Sequence, residues 1–215
     1  MIPTRTSPSQ GIFLIIFLVL GPAIVATSHE MPGSPRVQES FSDMPTYNIF
    51  TNEELRRNFL RVEYDAPLER PQLAFFILIP ETWEEVPITV SRDELEHDDE
   101  NMISLALHRA PKREAQVEVA YCRVPQAIEL EEWARAYLAG NQLEIIHFQQ
   151  GAFSGRDVFD TLLKANVQGQ GEYRVRMTFS RHGDKIFIVS GSAPASLYEK
   201  YMKIFGLASV SFQKR

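Results

Sequence analysis

EYRVRMTFSRHGDKIFIVS, Glu172 to Ser190, sets the frame in which the rest of the chain is read. Tyr173, Val175, Met177 and Phe179 alternate with Arg174, Arg176, Thr178 and Ser180, the period of a half-buried strand. Arg181-His182-Gly183-Asp184 reverses the chain, and Gly183 supplies the positive φ that a tight hairpin turn needs. Lys185 to Ser190 returns as the partner strand. Upstream, Gly169-Gln170-Gly171 is a second turn. Residues 157–168 fit two periods: Phe159, Thr161, Leu163, Ala165 and Val167 suit a strand, whereas Val158, Phe159, Leu162 and Leu163 suit a helix. Their direct junction with the turn favours a strand. Downstream, Pro194 and Ser196 open a final helix expected to turn Leu197, Tyr198, Tyr201, Met202 and Phe205 inward. The chain closes on GLASVSF, Gly206 to Phe212.

Further upstream, Ile103, Leu105 and Leu107 alternate with Ser104, Ala106 and His108. Val117, Val119 and Tyr121 alternate with Glu118, Ala120 and Cys122. The pair reads as two strands joined at Pro111-Lys112-Arg113. A helix follows, with Leu130, Trp133, Ala134, Tyr137 and Leu138 on one face and Gly140 as its expected left-handed cap. Leu143 to Gln149 reads as a strand and Gly151 to Gly155 as a turn. LAFFILI, Leu73 to Ile79, is a continuous apolar run closed by Pro80, the pattern of a strand covered on both faces. Asn52 can cap a short helix beginning with Glu53 and Glu54, and residues 52–65 as a whole look helical.

In this order, Phe75-Phe76-Ile77-Leu78-Ile79-Pro80-Glu81-Thr82-Trp83 resembles the strand-Pro-x-x-Trp entry of the Mog1/PsbP-like superfamily. The helix at Glu129 to Ala139, the hairpin at Glu172 to Ser190 and the ending Ser211-Phe212 agree with it in order and spacing. The resemblance covers about residues 65–212 and rests on structural motifs. It implies an α+β fold: a mostly antiparallel sheet flanked by helices on both faces, an α/β/α sandwich. The family's leading hairpin is not evident in residues 52–65. The family includes extrinsic photosystem subunits, binders of small GTPases and exported bacterial proteins. It has no common catalytic residue to carry over, and it implies an accessory or assembly domain that docks on other proteins.

GIFLIIFLVLGPAIV, Gly11 to Val25, is an uncharged apolar run preceded only by Arg5. It has the length of a signal-peptide core and falls short of the roughly 20 residues of a spanning helix. Ala26-Thr27-Ser28 offers small residues for cleavage before His29. Uncleaved, the segment becomes an anchor with its N-terminus in the cytoplasm. The chain therefore divides into a signal peptide or anchor (1–28), a Pro/Ser/Gly-rich tether (29–48) and one α+β domain (49–215). The expected location is periplasmic or extracellular, or the inner membrane if the anchor persists, with the membrane met only through residues 11–28.

Twenty-two basic and 28 acidic residues leave a net charge of −6. There is no basic stripe, so nucleic acid is excluded as a partner class. One cysteine, Cys122, forms no internal bridge and reads as a buried thiol. Residues 93–101 (DELEHDDEN) read as a solvated acidic loop without the spacing of a calcium site. His108, His147 and His182 have no zinc-ligand spacing. In Gly151-Ala152-Phe153-Ser154-Gly155, Phe stands where a nucleophile elbow needs Ser, and His147, Ser154 and Asp157 read as turn and strand residues. The expectation is no catalytic, cofactor or metal residue and no cofactor. Trp83, Arg174 and Arg176 are the candidate partner surface, since aromatics and arginines carry interface energy disproportionately. A small-ligand, metal-binding or hydrolytic domain in the same compartment is the alternative; it requires a concave pocket with converging polar groups.

Overall fold

The computed structural model describes residues 50–99, 101–153 and 156–215; the apolar leader and the tether lie outside these. The Glu172–Ser190 alternation forms β8 (Gly171–His182) and β9 (Lys185–Pro194), with Gly183 at φ 63° between them. The ambiguous segment before them is a strand, β7 (Arg156–Val167), and β6 (Glu144–Phe153) lies outside it. The hairpin β4 (Ile103–Arg109) and β5 (Gln116–Arg123) joins through β5 to β9, so Val119 faces Val189 and Tyr121 faces Phe187. With the two-residue β3 (Glu84–Glu85), these make a seven-stranded sheet in the order β3-β4-β5-β9-β8-β7-β6. Every neighbouring pair in it is antiparallel.

Strand periodicity divides the buried residues between two cores. On one face Val117, Val119, Tyr121, Phe187 and Val189 pack with Tyr201, Phe205 and Ala208 of helix α4 (Tyr198–Ser211). On the other face Phe159, Leu163, Met177, Phe179 and Ile186 pack with Leu130, Ala134 and Leu138 of helix α3 (Leu130–Gly140). The expected α+β sandwich, with a helix on each side of an antiparallel sheet, is what forms. A second, three-stranded sheet closes the α4 side: β1 (Phe59–Tyr64), β2 (Phe75–Pro80) and β10 (Gln213–Lys214), in the order β1-β2-β10. The terminal Ser-Phe acts here. Ser211 accepts the Leu78 N–H at 3.0 Å, and Phe212 is buried 5.5 Å from the Phe75 ring.

Several local expectations are corrected. Residues 52–65 are not one helix: α1 (Asn52–Asn58) ends and β1 begins at once, pairing antiparallel with β2, so a leading strand pair is present. Tyr64 stacks on Phe75 at 4.7 Å, and this non-local packing outweighs local helix preference. The cap of α1 is Thr51, reciprocated by Glu54 in a capping box. β2 is buried on one face and half-buried on the other, where the Arg61 guanidinium covers Phe76 at 3.8 Å. The acidic segment is not a loop throughout: Ser91 and Glu94 box the start of α2 (Arg92–Glu96). Gly140 is the last residue of α3, and Gln142 takes the left-handed conformation at φ 56°. Residues 151–153 continue β6 instead of turning. Met202 is 47 % exposed and does not face inward, while the closing GLASVS completes α4.

Candidate functional site

Arg176 is 6 % exposed and does not stand on a free surface. The strand face it shares with Thr178 and Ser180 lies beneath α4. Its guanidinium grips Asp160 of β7 twice, at 3.1 and 2.5 Å, and the Thr178 hydroxyl donates to the same carboxylate at 2.7 Å. Gln149 donates to Asp160 at 2.9 Å, and Ser209 of α4 lies 2.8 Å from the Thr178 hydroxyl. Two charges survive burial there because each has several charge-assisted hydrogen bonds. Arg174 is half-buried and paired with Glu172 at 2.8 Å. Trp83 is half-buried, edge-on to Tyr201 at 6.0 Å. Of the proposed surface trio, Trp83 and Arg174 are half-buried and Arg176 is withdrawn beneath α4.

The other chemistry-bearing residues have structural duties. Asp98, expected in a solvated loop, is buried and ties its segment to β5 and to Arg70: it accepts from the Tyr121 hydroxyl at 2.9 Å and pairs with Arg123 at 2.9 Å and Arg70 at 3.3 Å. Burial, with Asp98 and Asp99 nearby, pushes the Cys122 thiol up to about 12, which leaves it an inert core group. His108 is buried 2.9 Å from the Tyr64 hydroxyl, which also meets Glu85, and burial lowers its pKa. His182 sits edge-on to Phe187 and Phe212, and burial, with Arg156 and Lys214 beside it, lowers its pKa to about 4. Ser154, Gly155 and Glu100 lie outside the described residues. Among the described residues no group of three His, Cys, Asp or Glu could hold a metal ion.

Two features remain. The first is a cavity of about 410 Å³ on the α3 side of the large sheet, bounded by Tyr137 of α3 and by residues 86–90. α3 packs mainly over β6, β7 and β8, and the cavity opens beside it over β4, β5 and β9. The floor there carries Glu118, Ser190 and Ser192, with Ile188 at its border and Ile186 beyond it in the core under α3. The Ser104 hydroxyl donates to the Glu118 carboxylate. Burial raises the Glu118 pKa, with Ser104 and Arg109 opposing the rise. The second is β6 itself. It is the ten-residue outer strand of the sheet, and among the described residues nothing pairs with its outer side. Ile146 is 40 % exposed and Phe148 is 44 % exposed, with Arg135 of α3 over the Phe148 ring at 4.1 Å. The register breaks between Ile145 and His147 and is regular from there to Phe153.

Sequence reasoning missed both. For the cavity the available signal was the change from Ile to Ser along one face of β9. For the edge it was only pairing order, which no local pattern encodes. Among the described residues no helix is long and apolar enough to cross a membrane.

No protein-family model matches the chain, and no curated protein matches it. Solved structures do. The cyanobacterial PsbP (CyanoP) of Synechocystis sp. PCC 6803 is similar at a TM-score of 0.53 and 12% identity, over 74% of this chain and 93% of that one. LpqN, involved in cell envelope biogenesis of Mycobacterium tuberculosis, is similar at a TM-score of 0.50 and 10% identity, over 76% and 96%. At these identities the likeness is one of fold.

Proposed function

This chain adopts the Mog1/PsbP-like fold, and we propose that on it the chain works as a non-catalytic accessory domain of the cell envelope that docks onto other proteins. One observation carries the reading: the long outer strand β6, with Ile146 and Phe148 exposed along it. An unpaired edge offers a row of backbone donors and acceptors to an incoming strand, and exposed apolar side chains supply the pockets and anchors that select it. Export is supported by the apolar run Gly11 to Val25 with small residues after it, and by the envelope role of the structurally similar LpqN. On this reading residues 29–48 give the domain reach from the membrane.

The test is affinity capture of the tagged full chain from membranes of its source organism, with its N-terminus sequenced. Co-purifying envelope proteins are expected, and their loss is expected in the double variant Ile146→Lys/Phe148→Lys at an unchanged melting temperature. Native protein found wholly in the cytosol with Met1 attached, or capture indifferent to the double substitution, overturns the reading. A second reading, small-ligand binding, is favoured by the cavity over β4, β5 and β9.

A further inference from the structure

We propose that the cavity beside α3 is a binding site for a small apolar amine, its hydrocarbon body against the aliphatic wall and its protonated nitrogen at Glu118. The proposal deepens the small-ligand reading and is independent of docking at β6. Protein interiors are packed to the density of organic crystals, and a space of about 410 Å³ lies within the range of small-molecule sites, roughly 300–1,000 Å³.

The space is written into the strands. Ser190 faces Glu118 on one side and Met177 on the other, and Ser192 lies likewise between Gln116 and Val175. Short polar side chains thus continue a row in which Ile186 fills the core under α3 and Ile188 borders the cavity. The opposite wall is held in place by its backbone, since the Val86 N–H donates to the Leu107 carbonyl at 2.8 Å.

Lining chemistry selects the ligand. Val86, Ile88, Val90, Leu107, Met177 and Ile188 present hydrocarbon. The ionisable groups of the lining are Glu94, Glu118 and Tyr137, all acidic, and it contains no Lys, Arg or His. Two of these groups present acceptor oxygens to the space. Glu118 accepts from Ser104, and the Tyr137 hydroxyl spends its proton on the Met102 sulfur at 3.4 Å, leaving its oxygen free to accept. At the rim the Glu94 carboxylate accepts the Ser91 backbone N–H at 2.7 Å, and the Ser91 side chain and backbone lower its pKa. A carboxylate-bearing amphiphile would bring like charge to this lining. A neutral one forms no ion pair with the half-buried Glu118, whereas an ammonium pairs with it beside the Ser104 hydroxyl and donates to the surrounding oxygens.

The experiment is isothermal titration of the full chain at neutral pH with decylamine, decanol and decanoate, each below its micelle concentration. Decylamine is expected to bind one per chain, at least about tenfold tighter than decanol, with decanoate weaker still. Glu118→Gln is expected to bring decylamine down to the decanol level. Ser190→Val, which suits a strand and fills the floor, is expected to abolish binding of all three with the fold intact by circular dichroism. Absence of decylamine binding, any other order of head groups, or binding unchanged in the folded variants overturns the proposal. If Glu118→Gln fails to fold, the head-group order and Ser190→Val decide it. None of these results bears on protein capture through β6.

Discussion

Arg176 shows how far a residue's surroundings can depart from its sequence pattern. Alternation correctly placed Arg174, Arg176, Thr178 and Ser180 on one face of a strand, and charge suggested a face open to solvent or to a partner. The face is instead covered by α4, and the charge is met by Asp160 on the next strand. Asp160→Ala removes the carboxylate that this buried guanidinium grips and is expected to cost about 3–5 kcal/mol in urea unfolding. Replacing both residues with leucine removes both buried charges and is expected to recover most of the loss. A single variant no less stable than the parent would show that Arg176 finds another partner.

Among the elements, α4 depends on a strand residue that looks unremarkable in sequence. Gly191 of β9 lies against the Phe205 ring, and a Cβ built there would overlap the ring carbons. Gly191→Ala forces the helix or the ring outward. It is expected to lower stability by about 1–3 kcal/mol, with the melting temperature as readout. An unchanged melting temperature would mean that α4 slides freely over the sheet. Elements with strong internal periodicity, β5, β8, β9 and α3, are legible in the amino-acid sequence alone. β1 is not, because its strand character comes from pairing with β2 and from Tyr64 stacking on Phe75. The extent of β6 escapes likewise: residues 151–153 read as a turn and run on as strand against β7.

In the assembled fold, two cores lie on opposite faces of one sheet, and the two tryptophans report on them separately. Trp83 packs with Tyr201 on the α4 side, and Trp133 packs edge-on to Phe179 at 6.2 Å on the α3 side. Strands β5, β8 and β9 join both cores, so neither side can melt while the sheet persists. The single-tryptophan proteins Trp83→Phe and Trp133→Phe are expected to show single fluorescence transitions, each coincident with its own far-ultraviolet dichroism transition. A fluorescence midpoint displaced from the dichroism midpoint in either protein would show that the cores unfold as separate units.

The strands and helices from β4 to α4 are largely present in the chain, because a period of two or of 3.6 records which side of an element is apolar. The same periods are silent on what covers that side. Burial of the Arg176 face under α4, the partnering of Asp98, the open floor at Glu118 and the bare edge of β6 all arise where segments far apart in sequence meet. A contact between distant segments leaves no periodic trace in either one, and the residues proposed for docking and for amine binding are set by such contacts.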